Sequence, residues 1–241
     1  MPPITTVQEA FLHCRDMEAS LSERLDTFSK LARSLHPNMQ QAVDRLVERL
    51  AASSAGENAP AAGDVMPSFT LPDETGRLVS LEDFLAQGPT VVVFHRGHWC
   101  PYCRINTRAL AEAEEGLRAS GAQIVAITPE RQQFAAKFKA DATLRCPVLT
   151  DTDNGYALSL GLAIWVGDEL EALMAAAGRN LPLYQGNEAW FLPIPATFVV
   201  AEDGTIAARF IDPDYRRRMG VEDLFKALKA VRNSGKRRRL P

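Results

Sequence analysis

One stretch of the sequence decides the fold: VVVFHRGHWCPYCR, residues 91–104. Its first part, Val91 to Phe94, is a run of β-branched and aromatic residues, which is typical of a strand buried on both faces. Gly97 permits a turn, and Pro101 suits the first turn of a helix because its missing N–H would have no partner there. The stretch therefore predicts a buried strand, a turn, and a helix that begins at the first of two cysteines.

The two cysteines of this stretch, Cys100 and Cys103, are placed for thiol chemistry. The unpaired N–H groups at a helix N-terminus favour a thiolate, and Arg96, His98 and Arg104 add positive charge nearby. The two-residue spacer puts both sulfurs within one helical turn, close enough to form a disulfide. We therefore predict a pair that cycles between dithiol and disulfide without an organic cofactor.

Two other interpretations of the cysteine pair remain open. A structural zinc site needs four ligands, usually from two such pairs. Here the other cysteines, Cys14 and Cys146, are isolated, so further ligands would have to come from histidines such as His95 and His98 or from distant residues. A purely structural pair is the second alternative. The strand–turn–helix setting favours redox chemistry over both, with no metal.

Composition sets the broad class. The chain has 241 residues, 46% of them hydrophobic and 24% charged, a net charge of -3 and four cysteines. These values exclude a disordered chain, a fibrous chain and a disulfide-rich scaffold. The near-neutral balance of charge argues against nucleic acid as a partner. No secretory signal is visible, and the longest aliphatic run is far shorter than the roughly 20 residues of a membrane helix. We therefore predict a cytoplasmic protein without a membrane partner.

The pattern along the chain predicts four regions. Apolar stripes at helical spacing predict two helices in residues 1–52, a hairpin that packs on the main domain or forms the contact of a homodimer. Residues 53–63 are small, polar and interrupted by proline, as in a linker. Alternating strands and helices in residues 64–232 predict an α/β domain with a central mixed sheet flanked by helices. Residues 233–241 form a basic tail.

Outward from the cysteines, the α/β domain divides into short predicted elements. They are a hairpin around 69–79, a short helix capped by Ser80, strands at 124–127 and 148–149, helices at 132–140 and 156–160, a hairpin at 197–210, and a last helix at 221–231. Residues 163–190 fit the alternation poorly. We predict a helix at 168–177 and an ordered loop at 181–190.

Several motifs resemble known families. WCPYC at 99–103, placed between a strand and a helix, resembles the thioredoxin superfamily. DVMPSFTLPD at 64–73 and PVLTD at 147–151 resemble peroxiredoxins of the alkyl hydroperoxide reductase/thiol-specific antioxidant superfamily, and PATFVV at 195–200 is similar to the thioredoxin-type segment with a cis-proline. The resemblance spans about residues 64–231 and points to the peroxiredoxin-like group that carries Cys-x-x-Cys. It implies a thioredoxin-like fold.

The resemblance also implies a function. A peroxiredoxin-like enzyme would reduce hydroperoxides through a Cys100/Cys103 dithiol–disulfide cycle, with thioredoxin or glutathione/glutaredoxin as the reducing partner. A thioredoxin-like protein-disulfide oxidoreductase and a non-catalytic redox sensor are the alternatives. In the first case Cys103 matches the attacking cysteine; in the thioredoxin pattern Cys100 attacks.

The supporting residues follow from the same two patterns. The peroxiredoxin pattern has a threonine where this chain has Cys100 and a proline where this chain has Arg96. It also has a peroxide-binding arginine just before the late strand, where this chain has IPA at 194–196, so Arg96 or Arg209 is the candidate replacement for that arginine. Trp99 matches the tryptophan before the thioredoxin motif. Tyr102 fills the surface beside the pair, and Pro195 is predicted to be a cis-proline opposite it.

Overall fold

The computed structural model describes residues 3–238, with side chains up to residue 233. The last helix extends through Arg238, so most of the predicted basic tail is helical, and residues 239–241 of that tail lie outside the described residues. In this part of the chain no helix combines the length and the apolar character needed to cross a membrane.

Ten α-helices, one 3₁₀ helix (Thr152–Asn154) and nine strands are described in residues 3–238. The helices are α1 (Val7–Arg15), α2 (Leu21–Leu35), α3 (Pro37–Ala52), α4 (Leu81–Leu85), α5 (Pro101–Ala119), α6 (Gln132–Ala142), α7 (Gly155–Ser159), α8 (Asp168–Ala176), α9 (Leu181–Gln185) and α10 (Val221–Arg238). The strands are β1 (Thr70–Pro72), β2 (Leu78–Ser80), β3 (Thr90–Phe94), β4 (Gln123–Thr128), β5 (Val148–Thr150), β6 (Ala163–Trp165), β7 (Phe191–Pro193), β8 (Ala196–Val200) and β9 (Ile206–Ile211).

A five-stranded mixed sheet forms the centre, in the order β5-β4-β3-β8-β9. β3 pairs in parallel with β4, and β4 with β5, while β8 runs antiparallel to β3 and to β9. All five residues of β3 are buried, as a central strand requires. Helices cover both faces, with α5 packing on one of them. The predicted α/β architecture with a mixed, helix-flanked sheet is confirmed.

The N-terminal extension differs from the prediction, because it contains three helices rather than two. Ser20 accepts a hydrogen bond from the backbone N–H of Glu23 while the Glu23 carboxylate bonds back to Ser20, so a capping box starts a new helix there. A similar local signal was missed at Asn180, whose side chain caps α9 inside the segment predicted as a loop. Both errors have one cause, since in each case a cap residue starts a helix that the apolar pattern alone does not show.

These helices pack directly on the α/β domain. The Phe28 ring meets the Tyr102 ring edge-on, with centroids 4.9 Å apart, and the Ser29 hydroxyl donates to the Tyr102 hydroxyl at 3.1 Å. Arg24 pairs with Glu112 of α5 at 2.9 Å. Of the two arrangements left open for the extension, the structure has the one in which it packs on the domain.

Residues 53–63 also pack on the domain. Ala59 is buried, and the Arg209 guanidinium donates to the carbonyl oxygens of Ala59 and Pro60. Arg209 therefore ties this segment to β9.

The packing predicts a large stability effect at Phe11. Its ring is buried in α1 beneath the Arg104 guanidinium, whose carbon lies 4.1 Å from the ring centroid. Phe11→Ala is expected to lower the free energy of unfolding by about 3–5 kcal/mol, because the lost ring leaves a cavity. Chemical denaturation measures the change. The neighbouring Leu12→Ala, at a position 38% exposed, serves as the matched control and should change stability much less.

Candidate active site

The end of β3 and the start of α5 bring the cysteine pair together. Cys100 is the N-cap residue of α5 and Cys103 lies in its first turn. Neither forms a disulfide, and both are buried, at 1% and 0% exposure. Pro101 occupies the first helical position, as predicted, so it leaves no N–H without a partner.

Cys103 is the sulfur that this site surrounds with donors. Its Sγ accepts the backbone N–H of Arg96 at 3.3 Å and the guanidinium of Arg218 at 3.6 Å. The Cys100 thiol also donates to it. Donors and positive charge that converge on one sulfur stabilise its thiolate form.

The two thiols accordingly have opposite pKa shifts. Burial by itself raises the pKa of Cys103, but the hydrogen bond from Cys100, the neighbouring His95 ring and the charge of Arg218 outweigh it and bring that pKa well below its usual value. Burial raises the pKa of Cys100 well above its usual value, and its hydrogen bond to Cys103 raises it further. The surroundings therefore favour the thiolate at Cys103 and the protonated thiol at Cys100.

Arg218, rather than Arg96 or Arg209, brings its guanidinium to the Cys103 sulfur. Its side chain is buried and held by the carbonyl oxygens of Tyr215 and Arg217. Among the described residues it has no carboxylate partner, so a thiolate at Cys103 is favoured as the counter-charge to this buried guanidinium.

The other two candidate arginines have different contacts. The Arg96 guanidinium lies over the rings of Tyr215 and Trp99, with its central carbon 3.8 and 5.3 Å from their centroids. Only the backbone N–H of Arg96 reaches Cys103. Arg209 holds the segment before the domain, as described above.

His95 is fully buried beside the pair. Its ring packs edge-on against Phe138, with centroids 5.2 Å apart, and contributes to the low pKa of Cys103. Neither ring nitrogen has a hydrogen bond of good geometry to any described residue. A buried imidazole with spare hydrogen-bonding capacity next to a thiolate is suited to exchanging a proton with it.

His98 points to a different partner, Glu130. Its Nδ1 lies 2.6 Å from the Glu130 carboxylate, and its backbone N–H donates to the same carboxylate at 2.7 Å. The ring also stacks on Phe134. Burial raises the pKa of Glu130, which is completely enclosed. His98 therefore anchors the loop before Cys100, and its ring contacts Glu130, Phe134 and Tyr184 rather than either sulfur.

The close approach of this loop to Glu130 depends on Gly97. Its φ is +137°, and a Cβ at this position would lie 2.6 Å from the Glu130 carboxyl carbon. Gly97→Ala is expected to destabilise the protein by about 1–3 kcal/mol, because both the backbone conformation and the space exclude a side chain. It should also raise the pKa of Cys103, since the adjacent Arg96 N–H would be displaced. Thermal unfolding and thiolate absorbance during a pH titration measure the two effects, with Gly178→Ala, at an open position, as the control.

The prediction of a cis-proline at Pro195 is wrong. No peptide bond among the described residues is cis. The reason is the path of the chain around this proline. β7 pairs with β6, and the chain continues from β7 into β8 in an extended conformation. A trans proline fits such an extended path.

Glu130 and Arg218 are site residues that the sequence analysis missed. Glu130 follows β4, which pairs in parallel with β3. Because the carboxyl ends of parallel strands share one edge of a sheet, the sequence could have placed Glu130 near the loop that follows β3. Arg218 lies in an irregular segment between β9 and α10, where no periodicity marks it. Among the described residues no three His, Cys, Asp or Glu side chains gather as a metal site would require.

Comparisons with known proteins agree with this geometry. Residues 62–209 match the family model described as the AhpC/TSA family. The chain is 29% identical over 102 residues to peroxiredoxin Bcp of Escherichia coli (strain K12), an alignment covering 42% of this chain and 64% of that protein. It is 28% identical over 144 residues, 60% of this chain and 80% of the relative, to a putative peroxiredoxin of Mycobacterium tuberculosis.

Solved structures share the fold. Peroxidoxin BcpB from Mycobacterium tuberculosis superimposes with a TM-score of 0.55 at 21% identity, covering 70% of this chain and 97% of that one. A yeast mitochondrial 1-Cys peroxiredoxin gives a TM-score of 0.56 at 15% identity, covering 73% and 78%. The predicted thioredoxin-like fold is confirmed, and since the family model matches more than half of its residues, the chain belongs to the AhpC/TSA family.

Proposed function

We propose that this protein is a thiol peroxidase in which Cys103 attacks the hydroperoxide and Cys100 resolves the product. The observation that carries the proposal is the set of donors around Cys103: the Arg96 N–H, the Arg218 guanidinium and the Cys100 thiol. Those donors favour a thiolate at Cys103, and the thiolate is the form that attacks.

The first step transfers one oxygen atom. The Cys103 thiolate attacks the terminal oxygen of ROOH, the O–O bond breaks, and Cys103 becomes a sulfenic acid while an alkoxide leaves and takes up a proton as ROH. Arg218 is placed to stabilise the negative charge that develops on the leaving oxygen. His95 is buried beside the same sulfur.

The second step closes the disulfide. The Cys100 sulfur attacks the Cys103 sulfenic acid, an S–S bond forms, and the hydroxyl leaves as water with the Cys100 proton. A cellular dithiol then returns both cysteines to the thiol state. The cycle uses no organic cofactor, and two electrons pass from the dithiol to the hydroperoxide.

The geometry favours this function over a thioredoxin-like one. A protein-disulfide oxidoreductase needs an accessible, low-pKa first cysteine, whereas burial raises the pKa of Cys100 and helices of the N-terminal extension pack over it. The trans bond at Pro195 also departs from the thioredoxin pattern.

Two assays test the proposal. Reduced protein should consume a hydroperoxide when a dithiol is supplied, and it should reduce the disulfides of insulin no faster than the dithiol alone. Fast insulin reduction without hydroperoxide consumption would reject the proposed function in favour of a disulfide oxidoreductase.

A further inference from the structure

A cavity of about 380 Å³ opens onto the cysteine pair from the side of the N-terminal extension. Its walls come from α2, α3, α8 and the loop that carries Tyr215. The apolar lining includes Phe28, Ala32, Met39, Val43, Leu170 and Met174. Four of these six residues, those of α2 and α3, lie outside residues 62–209, the part of the chain that matches the family model.

The cavity leads to one sulfur of the pair. Cys100 is among its lining residues and Cys103 is not. A molecule in the cavity therefore meets Cys100, the sulfur that resolves the sulfenic acid in the proposed cycle, rather than the attacking thiolate. The step that the cavity serves is accordingly a reaction at Cys100.

Reduction of the disulfide is such a reaction. When an external thiolate attacks Cys100, the S–S bond breaks and Cys103 leaves as a thiolate. Thiol–disulfide exchange is faster when the leaving thiol has the lower pKa, and Arg218 and the Arg96 N–H stabilise that thiolate. Access through the cavity and the stability of the leaving Cys103 thiolate therefore both favour attack of the reductant on Cys100.

The charges of the cavity indicate what enters it. Arg96 and Arg179 line it, and none of its described lining residues is Asp or Glu. In the part of the chain that the structure describes, neither guanidinium forms an ion pair; Arg96 lies over aromatic rings instead. An apolar cavity with two uncompensated positive charges is complementary to an aliphatic molecule that carries one carboxylate.

Size excludes a folded protein from this route. Cys100 is 1% exposed and lies behind helices that are part of the core, so a thiol on a protein surface cannot reach it while these helices stay in place. A slender aliphatic chain can enter the cavity.

From these observations we propose that the cavity is the entry site of the reductant, and that this reductant is a small aliphatic dithiol with a carboxylate rather than a protein dithiol. The inference rests on the proposed function. The reductant's first thiolate forms a mixed disulfide with Cys100 and releases Cys103 as a thiolate. Its second thiolate then attacks its own sulfur in that mixed disulfide, Cys100 leaves and takes up a proton, and the reductant departs as a cyclic disulfide.

Dihydrolipoate is the probe for this proposal, because it is an aliphatic dithiol with a terminal carboxylate. The full chain is first oxidised with diamide, so that the disulfide forms without any hydroperoxide reaction. Alkylation and intact mass at set times then give the rate of re-reduction. At equal thiolate concentration, dihydrolipoate should react at least about tenfold faster than glutathione or reduced thioredoxin, because its chain is buried in the cavity.

Two variants locate the reaction in the cavity. Ala177→Trp, at an exposed position directly after α8 on the rim of the cavity, should slow dihydrolipoate about tenfold by obstructing entry. Ala175→Trp, exposed in α8 itself and outside the lining, should not. Arg179→Gln should slow dihydrolipoate about tenfold but leave its neutral amide, dihydrolipoamide, within about twofold, because only the carboxylate pairs with the guanidinium. Arg145→Gln, an exposed arginine outside the cavity, is the control.

Distinct results overturn the proposal. Thioredoxin reacting as fast as dihydrolipoate would reject the small reductant, and equal slowing of acid and amide by Arg179→Gln would reject the carboxylate contact. If Ala177→Trp slows oxidation by a fatty-acid hydroperoxide but leaves re-reduction unchanged, the cavity admits the oxidant instead. Because the disulfide is made with diamide, failure of the peroxidase function itself appears separately, as a lack of hydroperoxide consumption.

Discussion

Cys103→Ser is expected to abolish hydroperoxide consumption, because it removes the thiolate that the Arg96 N–H and Arg218 stabilise. Loss of a catalytic nucleophile costs enzymes about 10⁶-fold in rate, so the residual rate should equal that of the uncatalysed reaction. The Cys100→Ser variant should show a different defect from Cys103→Ser. It should react once with hydroperoxide and then stop, because the Cys103 sulfenic acid has no neighbouring thiol to condense with.

Intact mass after one equivalent of hydroperoxide checks this prediction. The Cys100→Ser protein should gain one oxygen atom, and a sulfenic-acid reagent should label it at Cys103, whereas Cys103→Ser should gain none. Cys146→Ser is the control for general thiol oxidation, since burial raises the pKa of Cys146 to about 12 and leaves it inert. Oxygen on Cys100 in the Cys103→Ser protein, with none in the reverse variant, would assign the attack to Cys100.

Arg218→Met is expected to slow the reaction with hydroperoxide by about 10²-fold, because removing one preorganised donor from a buried anionic site has an effect of this size. The positive charge of Arg218 favours the thiolate, so its loss raises the pKa of Cys103. The low pKa keeps the thiolate populated at pH values above it, and activity falls as the pH drops through it. In the variant this fall should therefore begin at a higher pH.

The pH dependence of the single-turnover rate with hydroperoxide measures both effects. Arg217→Met removes the adjacent arginine, which is exposed and pairs with Asp212, and should leave the profile in place. A slower Arg218→Met enzyme with an unchanged pH profile would contradict the electrostatic role and leave only a packing role for this side chain. A thiolate titration by absorbance gives the pKa independently of catalysis.

The strand–turn–helix around the cysteines was predictable because its signals are local. A run of β-branched residues, a glycine with positive φ and a proline at the first helical position each act on the backbone beside them. The capping box at Ser80 likewise starts α4 where the sequence predicts it. The missed break at Ser20 shows the limit: apolar spacing continues across it, and only the cap geometry divides the helix.

Which surface the N-terminal extension covers was not predictable from such local signals. The apolar stripes of the extension indicate that it buries one face, but they carry no information on which surface it covers. In the structure it packs on α5, and α2 and α3 wall the cavity beside Cys100. The partner of an amphipathic face is set by contacts between residues far apart in sequence.

The sequence by itself determined the fold class, the helix start at Cys100 and the pairing of two thiols within one helical turn, because all of these follow from periodicity and spacing. Only the tertiary structure shows which of the two sulfurs is surrounded by hydrogen-bond donors. The Arg218 guanidinium that favours Cys103 lies 115 residues away along the chain. Electrostatic stabilisation depends on distance in space and on exclusion of water, and both arise only when the chain has folded.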